Sequence, residues 1–386
     1  MNLNLIRQGL DKTLPLFHSS TNGPIIQLKK VVKTYKNAAG EFTALKGINT
    51  SFHRGEFVGI IGKSGSGKST LVNMLTGIDH PTEGEVLIDG IAIHHMTESE
   101  LSLWRGKNLG IVFQFFQLLP MLSVLENTIL PMDFCNIYEP RERPKRAMDL
   151  LRQLELEEYA NHLPSKISGG LQQRAAIARA LANDPPIILA DEPTGNLESQ
   201  NAESIFELFE ELVGLGKTVI VVTHDATLAQ RLDRTVLLAD GEIINEFIAR
   251  VLPNLNHQQM LNATHHLQFK QISPGETIIQ QGMPNEIFYI ITQGHVQVSL
   301  QKPYGQEVIL ANMDAGHYFG EVELLNGYPS IASVRASFEQ PVELAMLDRN
   351  TFIGLMDTSH LTRTDLELVA QQRVQSNIST WNRELS

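Results

Sequence analysis

Nine residues constrain this chain more than any others: GKSGSGKST, Gly62–Thr70. They follow an apolar run, EFVGII, and precede LVNMLTGI, whose apolar spacing is helical. Glycines let backbone N–H groups close in on an anion, and the N-terminus of the helix that follows adds favourable electrostatics. A glycine-rich loop between a buried strand and a helix is a phosphate-binding loop. Gly62, Lys63, Ser64, Gly65, Ser66, Gly67 and Thr70 form the cradle, Lys68 is placed to reach the β- and γ-phosphates, and Ser69 to bind Mg²⁺.

The surrounding sequence supplies the matching fold. From about Ile25 to Ile248 strand-like apolar runs alternate with helical patterns, which predicts an α/β domain with a mainly parallel sheet. EFVGIIG (56–62), IILADE (187–192) and TVIVVTHD (218–225) are nearly continuous apolar runs, as strands buried on both faces must be. TVLLADGEII (235–244) reads as two short strands turning at Asp240-Gly241. Asp191 ends its strand as an acid able to hold Mg²⁺, and Glu192 follows it, placed to polarise an attacking water. His224 emerges at the carboxyl end of another strand, where ligands of such sheets gather, as a γ-phosphate contact.

At 386 residues the chain is too long for one core, and two domains are expected. Net charge is −12 with no basic tract, which disfavours a nucleic-acid binder. The single cysteine, Cys135, excludes an internal disulfide and suits a reducing cytoplasm. No run of about 18 apolar residues occurs, so no membrane span is expected. Leu3, Ile6, Leu10, Leu14 and Phe17 mark one face of a helix in an N-terminal extension, residues 1–24, which Pro15 interrupts. That face fits docking on its own domain, a membrane surface or a partner.

Residues 249–266 turn polar, with His257, His265 and His266, and read as a linker or solvated helix face. Beyond Phe269 short runs such as ETIIQ, IFYIIT, HVQVSL and EVILANM, punctuated by Gly282, Gly294, Gly305 and Gly316, predict a β-barrel or jelly roll over 267–386. Alternation in HVQVSL places Val296, Val298 and Leu300 on one face. A closing helix is expected over Leu361–Val374, with Leu361, Leu366, Val369 and Val374 loosely on one side.

These motifs together resemble those of the ATP-binding cassette ATPases, over residues 25–248. ISGGLQQR (167–174) matches the signature usually written LSGGQ, with Leu171 in place of Gln. The resemblance implies a P-loop NTPase cassette with a helical subdomain, ATP and Mg²⁺ as cofactors, and a head-to-tail pair of cassettes. In that pair Ser168, Gly169 and Gly170 reach the γ-phosphate on the other copy. It implies that Gln114 touches Mg²⁺ or water and that Tyr35 stacks on adenine. GNLES (195–199) resembles the loop joining the two sites, with Glu198 where Asp is usual. FQFFQLLPMLSVLENTILPM and STLVNMLTGIDHPTEGEVLIDG are similar to the lipoprotein-release and macrolide-exporter type, in which the cassette drives a separate membrane permease. Phe115, Phe116, Leu118 and Leu119 are then part of a groove for its cytoplasmic helix, or plain core, and the chain is expected on the cytoplasmic face of the membrane. The alternatives are a soluble regulatory ATPase and a cyclic-nucleotide-regulated transporter subunit. DNA-repair cassettes insert long coiled coils and translation factors carry two cassettes; neither pattern is present.

Residues 255–376 resemble a cyclic-nucleotide-binding domain through ISPGETIIQQGMPNEIFYIITQGHVQVSL and GHYFGEVELL. In that family the Glu of Phe319-Gly320-Glu321 bonds the ribose and a following Arg pairs with the phosphate. Ser330 stands where Arg is expected and Ile331 where a small or hydroxyl residue is usual. Losing a charge-assisted pair costs about 1.5–3 kcal/mol, so tight cAMP or cGMP binding is not expected. Arg335 is expected on the opposite face of a strand from Ser330. The domain then serves regulation or docking, and its tail is too short for a helix-turn-helix.

Overall fold

β1 (Ile26–Asn37) and β2 (Gly40–Phe52) pair antiparallel, β3 (Phe57–Ile61) leads into the phosphate loop, and β4 (Glu83–Ile88) and β5 (Ile91–Ala92) complete a sheet in the order β2-β1-β4-β5. The computed structural model describes residues 23–38, 40–195, 197, 199–301 and 307–383. The expected N-terminal helix face, Gly305 and Glu198 lie outside the described residues. The chain divides into two units between Ile243 and Ile244.

A second sheet of the first unit runs β10-β9-β3-β8-β7-β6, adding β6 (Leu109–Val112), β7 (Ile187–Asp191), β8 (Thr218–Thr223), β9 (Arg234–Ala239) and β10 (Glu242–Ile244). β9, β3, β8, β7 and β6 are parallel in succession. Asp240 (φ 47°) and Gly241 (φ 78°) make the turn between β9 and β10. The near-continuous apolar strands follow from burial on both faces. Val219, Val221, Ile188 and Ala190 enter one core, whereas Ile220, Val222, Ile187 and Leu189 enter the other.

The second of these cores also receives the antiparallel sheet and α1 (Lys68–Thr76). α2 (Glu98–Asn108) starts at a capping box, Thr97 with Glu100, and α3 (Val124–Cys135) at another, Ser123 with Glu126. α3, α4 (Arg143–Gln153) and α5 (Gly169–Leu181) share the first core with α6 (Ser199–Gly214) through residues such as Met132, Leu151, Ile177 and Phe209.

In the second unit the stretch expected as a linker forms α7 (Glu246–Val251) and α8 (His257–His266). Asn245 caps α7, Asn256 and Gln259 form a capping box on α8, and Met260, Leu261 and Ala263 are buried. Asn256, which caps α8, and the exposed Gln258, Asn262, His265 and His266 gave residues 249–266 their linker-like composition.

β11 (Gln268–Ile272), β12 (Thr277–Ile279), β13 (Ile287–Gln293), β14 (His295–Gln301), β15 (Glu307–Asp314), β16 (Tyr318–Phe319), β17 (Ser333–Ala336) and β18 (Val342–Asp348) make two antiparallel sheets, β11-β18-β13-β16 and β12-β17-β14-β15. Ile279, Ile291, Val296, Phe319, Val334 and Leu344 fill the core between them. Along β14 Val296 and Val298 pack in that core and Leu300 is buried, the face the alternation expects. Ser299 is buried as well and bonds Glu307 at 2.6 Å, while the bulge lies in β15, where Leu310 is the extra residue opposite Val298 and Ser299.

α9 (Glu321–Asn326), α10 (Arg349–Thr358) and α11 (His360–Arg383) complete the unit. Along α11 it is Thr362, Leu366 and Ala370, four residues apart, that are buried, whereas Leu361 is exposed. The sequence pattern missed this because a threonine and an alanine mark the inner face.

Candidate functional site

β3 delivers the phosphate loop into a tight space. A methyl group on Gly62 would sit 2.3 Å from the Leu238 carbonyl oxygen, and one on Gly67 2.7 Å from that of Ala44. Gly67, at φ 103°, is the residue from which α1 departs. Only glycine combines that backbone with that clearance. The Ser66 hydroxyl is buried and unpaired, while its backbone carbonyl accepts from Gly241 N–H at 3.0 Å. Lys68 donates to the carbonyls of Gly62 (2.7 Å) and Lys63 (3.1 Å) and uses two of its three N–H donors there. Gly62 through Thr70, with Lys63, Ser64, Gly65 and Ser69 between, thus form one continuous strand–loop–helix segment.

Two carboxylates and an imidazole stand at the ends of the adjacent parallel strands β7 and β8. Burial holds the Asp191 carboxyl above its ordinary range; the Glu192 charge adds to this and Lys68 opposes it. Glu192 has left-handed backbone (φ 46°), and its N–H donates to Val222 O at 2.8 Å, which anchors the residue to β8. Its carboxylate lies 2.8 Å (Oε2) and 3.0 Å (Oε1) from His224 Nδ1. With Glu192 ionised, Nδ1–H is the donor, and the other ring nitrogen is left for a substrate. Glu192 is largely buried and His224 mostly exposed. A base oriented by an imidazole next to a phosphate cradle can position water for attack on a phosphoryl group.

Gln114 reaches the same place, since a methyl group on Gly195 would lie 3.4 Å from Gln114 Nε2 and 3.6 Å from Glu192 O. The residues after it are strained: Phe116 (φ 57°) and Gln117 (φ 49°) are both left-handed. Arg179 of α5 holds this bend by donating to the Phe116 carbonyl at 2.8 Å and to that of Gln117. Arg179 was not singled out in the sequence, where it reads as an ordinary helix residue. Ser168 caps α5, accepting from Leu171 N–H at 3.4 Å, and Gly169 and Gly170 open the helix. A side chain at Gly170 would meet Asn201 at 3.0 Å. Tyr35 lies beside Thr70 and Asp79, to which its hydroxyl donates at 3.1 Å, and Lys33 packs 5.0 Å from the ring centroid. Tyr35 remains over a third exposed (37%).

The second unit contains a cavity of about 180 Å³ lined by Phe319, Gly320, Glu321, Glu323, Ile331 and Arg373, among others. Glu321 is fully buried. Arg373 donates to its Oε1 at 2.6 Å and to the Tyr318 carbonyl at 3.0 Å. Burial raises the Glu321 carboxyl above its usual range, against the pull of Arg373, and burial likewise raises Glu323.

Ser330 is not on a strand and not in the cavity wall. It precedes β17 and is 2% exposed, with its hydroxyl beside Glu323 but without a hydrogen bond of good geometry. The expected strand argument for Arg335 therefore fails in its reason: Arg335 lies on β17, Ser330 outside it. Arg335 turns instead toward Glu307 (3.5 Å) and the Phe338 ring. Sequence reasoning missed Glu323 and Arg373, the latter 52 residues beyond Glu321.

Each of the two parts matches a known family. Residues 45–195 match the ABC transporter family, and residues 269–359 match the cyclic nucleotide-binding domain. The chain is 50% identical over 226 residues to MJ0796, an uncharacterized ABC transporter ATP-binding protein of Methanocaldococcus jannaschii; the match covers 58% of this chain and 96% of that protein. It is 44% identical over 220 residues to the lipoprotein-releasing system ATP-binding protein LolD of Bacteroides thetaiotaomicron, covering 57% of this chain and 99% of LolD. It is also 44% identical over 223 residues to the macrolide export ATP-binding/permease protein MacB of Pasteurella multocida, covering 58% of this chain and 34% of MacB. The solved dimeric structure of MJ0796 superposes with a TM-score of 0.54 at 50% identity, over 57% of this chain and 97% of that one. A second structure shows MJ0796 in a post-hydrolysis state bound to ADP and Pi, with a TM-score of 0.54, 49% identity and the same coverage. The chain therefore belongs to the ABC transporter ATP-binding family, as an ATPase cassette of the LolD and MacB type that continues into a cyclic nucleotide-binding domain.

Proposed function

We propose that two copies of this cassette close head to tail on ATP and drive a separate membrane permease from its cytoplasmic face. The observation that carries this reading is the Glu192–His224 pair, 2.8 Å apart at the strand ends beside the phosphate loop. Glu192 positions water, His224 contacts the γ-phosphate, and Ser168, Gly169 and Gly170 of the second copy close over it. Residues 62–70 hold the phosphates, with Lys68 turning from its own loop carbonyls to the β- and γ-oxygens, and Tyr35 stacks on the base.

Ser69, Asp191 and Gln114 offer oxygen donors suited to a hard cation, and the acids Asp191 and Glu192 raise the demand for one. Those three residues would hold Mg²⁺, which when bound neutralises phosphate charge.

Among the described residues no helix is long and apolar enough to cross a membrane. Phe115 (71% exposed) and Leu119 (45%) offer an apolar surface beside the Gln114 bend, whereas Phe116 and Leu118 are partly buried. Of the four residues, Phe115 and Leu119 are the ones available to a permease helix. Affinity purification from solubilised membranes tests this. A permease is expected to accompany the native chain and to be lost from a Phe115→Asp variant that retains ATP turnover. Full activity from a chain that never associates with membranes would favour a soluble regulatory ATPase.

The C-terminal domain serves regulation or docking and does not hold cAMP or cGMP tightly. Its cavity offers two carboxyls and one guanidinium, and that guanidinium is already paired.

A further inference from the structure

The cavity of the second unit has a chemistry of its own. Ile279, Val298, Leu310, Met313, Ile331 and Val334 make most of its wall apolar. Among the described residues that line it, the charged ones are Glu321, Glu323 and Arg373. Glu321 Oε1 is bonded to Arg373 at 2.6 Å, whereas Oε2 is buried with no hydrogen-bond partner. A buried acceptor left unpaired is unfavourable, and a donor placed against it recovers that loss. An anion faces the opposite situation. It meets two carboxyls, and it gains a cation only by drawing Arg373 away from Glu321, which then remains buried and bare.

Size narrows the choice further. A volume of about 180 Å³ is below the roughly 300 Å³ at which sites for drug-sized ligands begin. It is comparable with an apolar cavity of about 150 Å³ that accommodates benzene. One small ring or short chain with a polar atom at one end fits these limits.

We infer that this cavity receives a small apolar molecule that carries a hydroxyl or amino donor and no anionic group, with the buried Glu321 carboxyl accepting from that donor. This rests on the reading of the domain as one that does not bind cyclic nucleotides tightly, and a single titration series separates the two. The full-length chain is titrated with benzyl alcohol, benzylamine, toluene, benzoate and cAMP, and binding is followed by ligand-observed NMR and calorimetry.

At least one of benzyl alcohol and benzylamine should bind about tenfold or more tightly than both toluene and benzoate. A Glu321→Met variant should lose that preference while still binding toluene. Where the variant does not fold, the ranking on the native chain decides. No tenfold advantage for either donor ligand, or its persistence in folded Glu321→Met, overturns the inference and leaves the reading of the domain intact. Tight cAMP binding overturns both.

Discussion

Glu192 and His224 meet at 2.8 Å although 32 residues separate them, because β7 and β8 are adjacent parallel strands that end side by side. The left-handed backbone of Glu192 and its bond to Val222 O fix the carboxylate against the imidazole. His224→Ala removes the orienting hydrogen bond and, in the proposed mechanism, the phosphate contact. Turnover should fall about a hundredfold, as for loss of one preorganised donor, with a smaller change in the KM for ATP. Steady-state ATPase assays check this, and a change confined to KM would contradict it.

Asp191 is held protonated more tightly in the folded chain than in the unfolded one, chiefly by burial. Between its ordinary range and the raised value the native state therefore binds the extra proton, so Asp191 makes stability fall as pH rises through that window. Asp191→Asn should abolish turnover yet flatten this part of the pH profile and raise Tm at neutral pH. Thermal melts across acid to neutral pH measure it; a lower neutral Tm in the variant would contradict it.

Arg179 ties α5 to the left-handed bend at Phe116 and Gln117 through charge-assisted bonds. Arg179→Ala should cost about 2 kcal/mol and lower the Tm of the cassette by about 4–8 °C. It should also reduce turnover more than Arg179→Lys, which keeps one donor near the bend. Calorimetric melts and ATPase assays on both variants test this, and an unchanged Tm in the alanine variant would count against it.

The residues of the candidate site were legible because each signal is local in sequence. A glycine-rich loop, an acid pair ending an apolar run and a histidine ending another each declare a strand end, and parallel pairing brings the ends together. What escaped depends on long-range geometry. Arg373 reaches Glu321 from 52 residues downstream, on a helix whose buried face is marked by Thr362 and Ala370 rather than by large apolar residues. Ser330 read as a strand residue because Ser-Val-Arg-Ala follows closely, but β17 begins only at Ser333. The end of α7 and helix α8 read as a linker or solvated helix face because the cap and outer surface of α8 are polar.

The most direct test is Glu192→Gln, which keeps the shape of the site and removes the proposed base. ATP turnover should fall about a hundredfold or more, as for loss of a general base. ATP should still bind, and light scattering should show the variant as a stable dimer with ATP and a monomer without it. Native turnover in this variant, or no ATP-dependent dimer, would contradict the assignment of Glu192 and of the paired cassette.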